Sequence, residues 1–118
     1  MESILTSIKK LLGIAEEYKQ YDSDIVMHIN SVFADLAMIG VGPSEGFVIW
    51  DDSSIWDDFA SDDTLVNSVK SYMFLRVKLL FDVNSIGAST LTIYENQIAK
   101  WEWLLNVVAE RNKEEANT

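Results

Sequence analysis

The fold of this chain is decided by residues 64–82, which read TLVNSVKSYMFLRVKLLFD. Apolar side chains recur there every three or four positions on two neighbouring stripes, which predicts an α-helix with a wide apolar face. Such a helix is expected at the centre of a domain, because other helices must cover that face. Asp63 or Thr64 is the expected N-cap, since either side chain can accept a hydrogen bond from a free N–H group. The stripes run through Leu65, Val69, Tyr72, Arg76 and Leu80, and through Val66, Met73, Val77 and Phe81.

A short amphipathic helix is predicted at residues 3–12. Gly13 follows it at the position where a left-handed C-cap is favoured. Lys9 and Lys10 are expected to point away from the apolar face, where they would also suit the negative end of the helix dipole. The residues expected on the apolar face are Ile4, Ile8, Leu11 and Leu12.

Two long helices complete the predicted bundle. One begins at Asp22 or Ser23 and ends before Gly40, and the other runs from about Ser89 to Arg111. The buried stripe of the helix before Gly40 is expected to hold Ile25, Ile29, Val32, Phe33, Leu36 and Ile39. The buried stripe of the last helix is expected to hold Leu91, Tyr94, Ile98, Trp101, Leu105 and Val108.

The predicted fold class is therefore all-α, with three long helices and a short N-terminal one. Residues 1–111 are expected to form a single helical domain, and residues 112–118 a polar C-terminal tail. One long irregular loop, residues 40–63, lies between the second and third helices. Its apolar run at residues 47–50 could form a short β-hairpin, and Ser54 could cap a short helix after it.

The charge of the chain excludes several classes of function. Nineteen acidic residues stand against nine basic ones, the formal net charge is −10, and no Lys or Arg occurs from Gln20 to Val69. Such a surface should repel nucleic acid, since phosphate binding needs clustered cations. The chain has no apolar run near the ~20 residues of a membrane span and no signal-peptide pattern, so no membrane association is expected. It has no cysteine, which is compatible with a cytosolic protein.

Catalysis is not expected either. The single histidine, His28, has no cysteine to act with, and Gly40 and Gly42 lack the rest of a phosphate-binding fingerprint. The paired acids between residues 51 and 63 could supply oxygen ligands to Ca²⁺ or Mg²⁺, but they lack the spacing of an EF-hand loop. We therefore predict no enzyme activity, no metal and no cofactor.

Aromatic side chains are the better candidates for a binding surface. Trp101 lies on the apolar stripe of the last helix, whereas Trp103 is rotated from it by about 200°. Trp103 is therefore expected to be an exposed interface anchor, or else to lie flat under a neighbouring loop. In the long irregular loop, the expected partner contacts are Phe47, Trp50, Trp56 and Phe59.

Seven stretches spread over most of the chain carry a resemblance to a known family. The chain resembles the head–tail connector proteins, also called adaptor or head-completion proteins, of long-tailed phages and prophages of Gram-positive bacteria. The likeness includes no catalytic motif and covers residues 3 to about 110. The stretches are residues 3–14 (SILTSIKKLLGI), 24–33 (DIVMHINSVF), 40–47 (GVGPSEGF), 56–59 (WDDF), 69–72 (VKSY), 77–82 (VKLLFD) and 103–106 (WLLN).

The resemblance implies a structural virion protein that is made in the host cytoplasm. Its copies would form a ring, commonly of twelve subunits, beneath the portal protein. The ring would extend the DNA channel, let DNA pass without specific binding, and offer a platform for the stopper or tail-completion protein. The C-terminal part of such proteins tends to reach the portal, which would make Arg111 and Lys113 the charge contacts.

Two other classes of function remain open at this point. A small acidic interaction module, either a regulator or an inhibitor that mimics DNA, is compatible with the composition. A metal-dependent enzyme that uses the acidic loop is the third hypothesis. The assembly state would distinguish the first two, since a DNA mimic should be a monomer or a dimer.

Overall fold

Within residues 2–116, which the computed structural model describes, the chain is all-α, as predicted. The central helix, the two flanking long helices and the short N-terminal helix all form. No strand occurs in this part of the chain. The helices are α1 (Ile4–Leu11), α2 (Asp22–Ile39), α3 (Trp56–Phe59), α4 (Asp63–Asp82) and α5 (Ala88–Ala116), with a 3₁₀ turn at Val83–Ser85 between the last two.

Helix α4 occupies the centre of the fold. It packs against α1, α2 and α5, so three helices cover its wide apolar face. Its N-cap is Asp62, not the predicted Asp63 or Thr64. The Asp62 carboxylate accepts hydrogen bonds from the N–H groups of Thr64 and Leu65, at 2.9 and 3.3 Å. The buried side chains of α4 are Val66, Val69, Tyr72, Met73, Leu75 and Val77.

The predicted ends of α1 and α2 are confirmed. Gly13 and Gly40 follow the two helices with φ angles of +81° and +90°, the left-handed conformation that glycine adopts without a steric penalty. Each glycine lets the chain reverse direction at the end of its helix. The connector between α1 and α2 therefore folds back along α1.

The prediction that Lys9 points away from the core is wrong, because Lys9 is only 2% exposed. Its ammonium group donates hydrogen bonds to the carbonyl oxygens of Glu16 and Tyr18, at 3.0 and 2.7 Å, and lies 2.8 Å from the Asp22 carboxylate. The connector folds back over α1 and surrounds this one cation with acceptors. Lys9 thus joins α1, the connector and the start of α2. Lys10 is exposed, as predicted.

The possible β-hairpin at residues 47–50 does not form. This stretch is extended but has no partner strand, because the side-chain amide of Asn30 pairs with the backbone of Ile49 instead. Asn30 Nδ2 donates to the Ile49 carbonyl at 2.9 Å, and the Ile49 N–H donates to Asn30 Oδ1 at 2.8 Å. One side chain on α2 thus satisfies both backbone groups that a neighbouring strand would otherwise satisfy.

Helix α3 is a single turn that holds Trp56, Asp57 and Phe59, as predicted for the short helix of this segment, but Ser54 does not cap it. The Ile55 N–H donates to the Asp58 carboxylate at 3.0 Å, which fixes the start of the helix. The Ser54 carbonyl accepts a hydrogen bond from the Ile4 N–H at 2.9 Å, beside an isolated antiparallel bridge between Ser3 and Ile55. These contacts attach the irregular segment to the start of α1.

Helix α5 is longer than predicted. It continues past Arg111 to Ala116, so residues 112–116 of the predicted tail are helical, and residues 117–118 lie outside the described part of the chain. A helix of 29 residues is about 43 Å long. This length nearly matches the longest dimension of the molecule, which measures 47 × 35 × 20 Å. A thickness of 20 Å corresponds to about two layers of helices.

Candidate partner-binding surfaces

Two of the predicted contact residues, Trp56 and Phe59, are core residues, each 4% exposed. Trp56 Nε1 donates a hydrogen bond to Ser7 Oγ at 2.8 Å. The Phe59 ring lies 4.9 Å from that of Phe33 and 5.6 Å from that of Phe47, measured between centroids. These four aromatic residues, Phe33, Phe47, Trp56 and Phe59, form the aromatic cluster. Trp56 and Phe59 stabilise the subunit and offer no surface to a partner unless the core opens.

The extended stretch at residues 47–50 alternates between core and solvent. Phe47 is half-buried, Val48 is 52% exposed, Ile49 is fully buried and Trp50 is 81% exposed. Successive side chains of an extended segment point to opposite sides, and Asn30 fixes which side Ile49 takes. Trp50 therefore points outward because Ile49 points inward. Of the four predicted contacts in this segment, Trp50 alone is largely exposed.

Trp50 is followed by two exposed carboxylates, those of Asp51 and Asp52. We call these three residues the Trp50 loop. Hydrogen bonds from the side chain and the backbone N–H of Ser53 lower the pKa of Asp51. The ammonium group of Lys19 lies 3.7 Å from the Asp52 carboxylate, and both of these side chains are about half exposed. The Trp50 loop thus combines an exposed indole with a negative charge.

Helix α5 is poorly covered by the rest of the subunit. Among its described side chains, only Leu105 and Ala109 are buried, whereas Trp101 is half-buried. Trp103 is 65% exposed, in agreement with its expected rotation away from the stripe, and Ile93 is 54% exposed. The helix therefore packs along one narrow side and presents the remainder to solvent.

A groove of about 480 Å³ lies where α5 crosses α4 near the end of α1. Its floor is apolar and its polar lining carries two lysines, with no acidic side chain among the described residues that line it. We call it the basic groove. The lining residues are Leu11, Lys70, Ser71, Phe74, Leu75, Gln97, Lys100 and Trp101.

A second groove lies between the end of α2 and the C-terminal part of α5. Arg111 and Lys113 are both exposed on α5, and Lys113 lines this groove together with Ala109. Met38, at the end of α2, lines it too and is 86% exposed. Sequence reasoning missed Met38 because its type suggests burial, whereas it lies outside the buried stripe of α2.

A polar junction ties α2, α4 and α5 together. Arg76 donates to the Tyr72 hydroxyl at 2.8 Å and lies 2.8 Å from the Asp35 carboxylate, while Tyr72 reaches Glu102 at 3.4 Å. Burial raises the pKa of Tyr72. Burial acts to lower the pKa of Arg76, but its hydrogen bonds to Tyr72 and Asp35 outweigh that effect and raise it. Tyr72 therefore stays neutral and Arg76 stays charged, which suits a structural link.

The acidic residues between positions 51 and 63 do not converge on a site. Throughout residues 2–116, no group of three or more His, Cys, Asp or Glu side chains is placed to hold a metal ion. The carboxylates of Asp51, Asp58 and Asp62 instead accept hydrogen bonds from nearby backbone N–H groups. In the same part of the chain, no helix combines the length and the apolar character that crossing a membrane requires.

The comparison with protein families gives a match. A family model described as phage connector protein matches residues 4–112, which is nearly the whole chain. Neither the curated proteins nor the solved structures contain a match.

Proposed function

Because the chain belongs to the phage connector protein family, we propose that it is the adaptor subunit that joins the phage head to the tail. Copies of it form a ring beneath the portal protein, and the ring extends the DNA channel. Its far side is the platform for the stopper or tail-completion protein. The protein is made in the host cytoplasm and ends in the virion, at the head–tail interface.

The observation that carries this proposal is the poor coverage of α5. Among the described side chains of this 29-residue helix only two are buried, so it packs on its own subunit along one narrow side. Most helical stability in proteins comes from packing of an apolar face. Exposed Trp103 and Ile93 are the kind of surface that a neighbouring subunit or a partner covers.

The charge of the chain supports a role next to DNA that involves no binding to it. With a net charge of −10, each subunit contributes repulsion toward phosphates, and a ring multiplies it. DNA would then slide through the channel without adhering to the wall. The exposed acids of residues 51–63 are the main source of this charge.

The C-terminal part of α5 is the proposed contact with the portal. Arg111 and Lys113 are exposed there, close to the end of the helix. Their side chains can meet carboxylates of a portal surface. Deleting residues 111–118 removes these cations and leaves Leu105 and Ala109 in place.

A binding experiment with purified portal tests the proposed function. We expect the full chain to bind the portal ring and to form a ring on it, visible by cryo-electron microscopy. The chain lacking residues 111–118 should melt within about 3 °C of the full chain, because the described side chains that it loses, those of residues 111–114, are exposed. It should nevertheless bind the portal at least about tenfold more weakly, through the loss of two charge contacts.

Two results would contradict the proposal. The portal contact fails if the shortened chain binds as well as the full one. The adaptor role fails if the full chain stays monomeric with the portal and instead competes with DNA for a basic protein, which is what a DNA mimic would do.

A further inference from the structure

The basic groove is an exception on the surface of an acidic protein. The chain has about two acidic residues for each basic one, yet no acidic side chain is among the described residues lining this groove. Lys70 is already paired with the Glu2 carboxylate at 2.9 Å, so the charge that the groove offers to a partner is that of Lys100, which lies exposed on α5. Phe74 and Trp101 supply apolar surface between them. Such a site suits an aromatic group that carries negative charge beside it.

The Trp50 loop has the complementary chemistry. Its indole is 81% exposed, and the carboxylates of Asp51 and Asp52 follow it directly. A volume of about 480 Å³ lies within the ~300–1,000 Å³ range of pockets that enclose small ligands. The groove can therefore receive an indole against the Trp101 ring, with the Asp51 carboxylate next to Lys100.

We propose that adjacent copies of this chain join head to tail, with the Trp50 loop of one copy seated in the basic groove of the next. This inference rests on the proposed function, because it names the contact that builds the proposed ring. Trp50 is the anchor that fills the groove. The pairing of Asp51 with Lys100 sets the orientation and disfavours other partners, whereas Asp52 lies 3.7 Å from Lys19 of its own chain.

The placement of the two surfaces permits such a contact to repeat. The Trp50 loop lies beside Leu5 and Val26, between α1 and α2, and the basic groove lies between the end of α1, α4 and α5. No residue lines both surfaces, so a subunit can use both at the same time. A contact between two different surfaces generates a closed ring when the rotation between copies closes, and a filament otherwise.

Two variants break the contact from opposite sides. Trp50→Ala removes the anchor and keeps the groove, whereas Lys100→Glu keeps the anchor and places a negative charge in the groove. Both side chains are exposed, so both variants should fold. We expect Trp50→Ala to weaken self-association by about 30-fold or more and Lys100→Glu by about tenfold, as measured by sedimentation over a range of concentrations.

Mixing the two variants gives the sharpest result. Trp50→Ala still has an intact groove, and Lys100→Glu still has an intact Trp50 loop. The mixture should therefore form a heterodimer through one intact contact and grow no further, at concentrations where each variant alone associates measurably more weakly than the mixture. A contact in which Trp50 meets Trp50 of a second copy would not be restored by mixing, and that result would overturn the proposal.

Matched controls separate this contact from other surfaces. Met27→Ala removes another exposed apolar side chain, and Lys10→Glu makes the same charge change as Lys100→Glu. Neither residue lines the groove or the Trp50 loop, so both variants should self-associate like the unaltered chain.

The outcomes distinguish failure of this contact from failure of the proposed function. The inference is overturned, and the adaptor role stands, if Trp50→Ala assembles into rings as readily as the unaltered chain. It is overturned too if Lys100→Glu assembles normally but loses portal binding, which would assign the groove to the portal. An unaltered chain that assembles neither alone nor on the portal would contradict both.

Discussion

The irregular segment, residues 40–62, and helix α5 use their side chains in opposite ways. The segment contains one helical turn, yet it buries Val41, Ile49, Trp56 and Phe59 in the core. Helix α5 is the longest element, yet among its described side chains it buries only Leu105 and Ala109. Regular structure and contribution to the core are thus separate properties. Here, the irregular segment stabilises the subunit, and α5 offers a surface for assembly.

The segment can be irregular and still well packed because other elements satisfy its backbone. Asn30 pairs with both backbone groups of Ile49, and the Ser54 carbonyl accepts from the N–H of Ile4. Its aromatic rings then pack on Phe33 of α2. Helix α5 satisfies its own backbone internally, so it can remain a helix without being covered.

The largest expected effect is that of Trp56→Ala. Removing this buried indole should lower the free energy of unfolding by about 3–5 kcal/mol, because it leaves a cavity within the aromatic cluster. Trp50→Ala, six positions earlier, should change it by less than about 0.5 kcal/mol. Chemical denaturation of both variants gives the two values. Equal losses would show that the segment does not divide into a core side and a solvent side.

The next effect concerns the close approach of Gly42 to Phe59. A Cβ at position 42 would lie 2.5 Å from Phe59 Cε1, and the φ angle of +92° is unfavourable for alanine. Gly42→Ala should therefore cost about 2–4 kcal/mol, through overpacking and backbone strain together. Gly46→Ala is the matched control, since its φ is +86° but its nearest neighbour is 4.0 Å away. A difference near zero in the free energy of unfolding of these two variants would mean that the ring moves aside without cost.

A smaller loss is expected for Asn30→Ala. The variant leaves the N–H and the C=O of Ile49 without their partner, which should cost about 1–3 kcal/mol in stability. Hydrogen exchange at the Ile49 amide should accelerate in parallel. Ser31→Ala, on the exposed side of the same helix, should leave both measurements unchanged. Unchanged exchange in the Asn30 variant would show that another group holds the segment in place.

The smallest effect on the isolated subunit should be that of Trp103→Ala. Its side chain is 65% exposed, so the free energy of unfolding of the free subunit should change by less than about 0.5 kcal/mol, as measured by thermal unfolding. Trp101→Ala should lower the free energy of unfolding by more than Trp103→Ala, because the half-buried Trp101 packs against the core. Assembly on a portal is the second measurement for Trp103→Ala. A large loss of subunit stability would place Trp103 against the subunit itself and weaken the assembly role of α5.

Local rules predicted the four main helices, and they predicted where α1 and α2 end. The spacing of apolar residues located α2 and α4 to within a residue, and Gly13 and Gly40 marked the ends of α1 and α2. The exposure of Trp103 follows from its rotation about the helix axis, which is a local property too. These features depend on residues three or four positions apart, so they can be read without knowledge of distant parts of the chain.

The candidate contact surfaces could be predicted only in part. The aromatic content of the irregular segment suggested four contacts, but burial separates Trp50 from Trp56 and Phe59. Trp50 points outward because Ile49 points inward, and Ile49 is held in place by Asn30, which is 19 positions away in the chain. No sequence pattern indicates that pairing. The basic groove is likewise assembled from α1, α4 and α5, and its charge becomes visible only once these helices are in place.

The sequence by itself determined an all-α chain, the central place of α4, the excess of negative charge and the membership of a connector family. The tertiary structure alone decided which charges and aromatic rings are buried. Lys9 is the plainest example, because periodicity places it on the polar side of α1. The segment between α1 and α2 nevertheless supplies two carbonyl oxygens to its ammonium group, and the start of α2 supplies the Asp22 carboxylate. Helix formation depends on neighbours along the chain, whereas the burial of a side chain depends on which distant groups arrive beside it and whether they satisfy it.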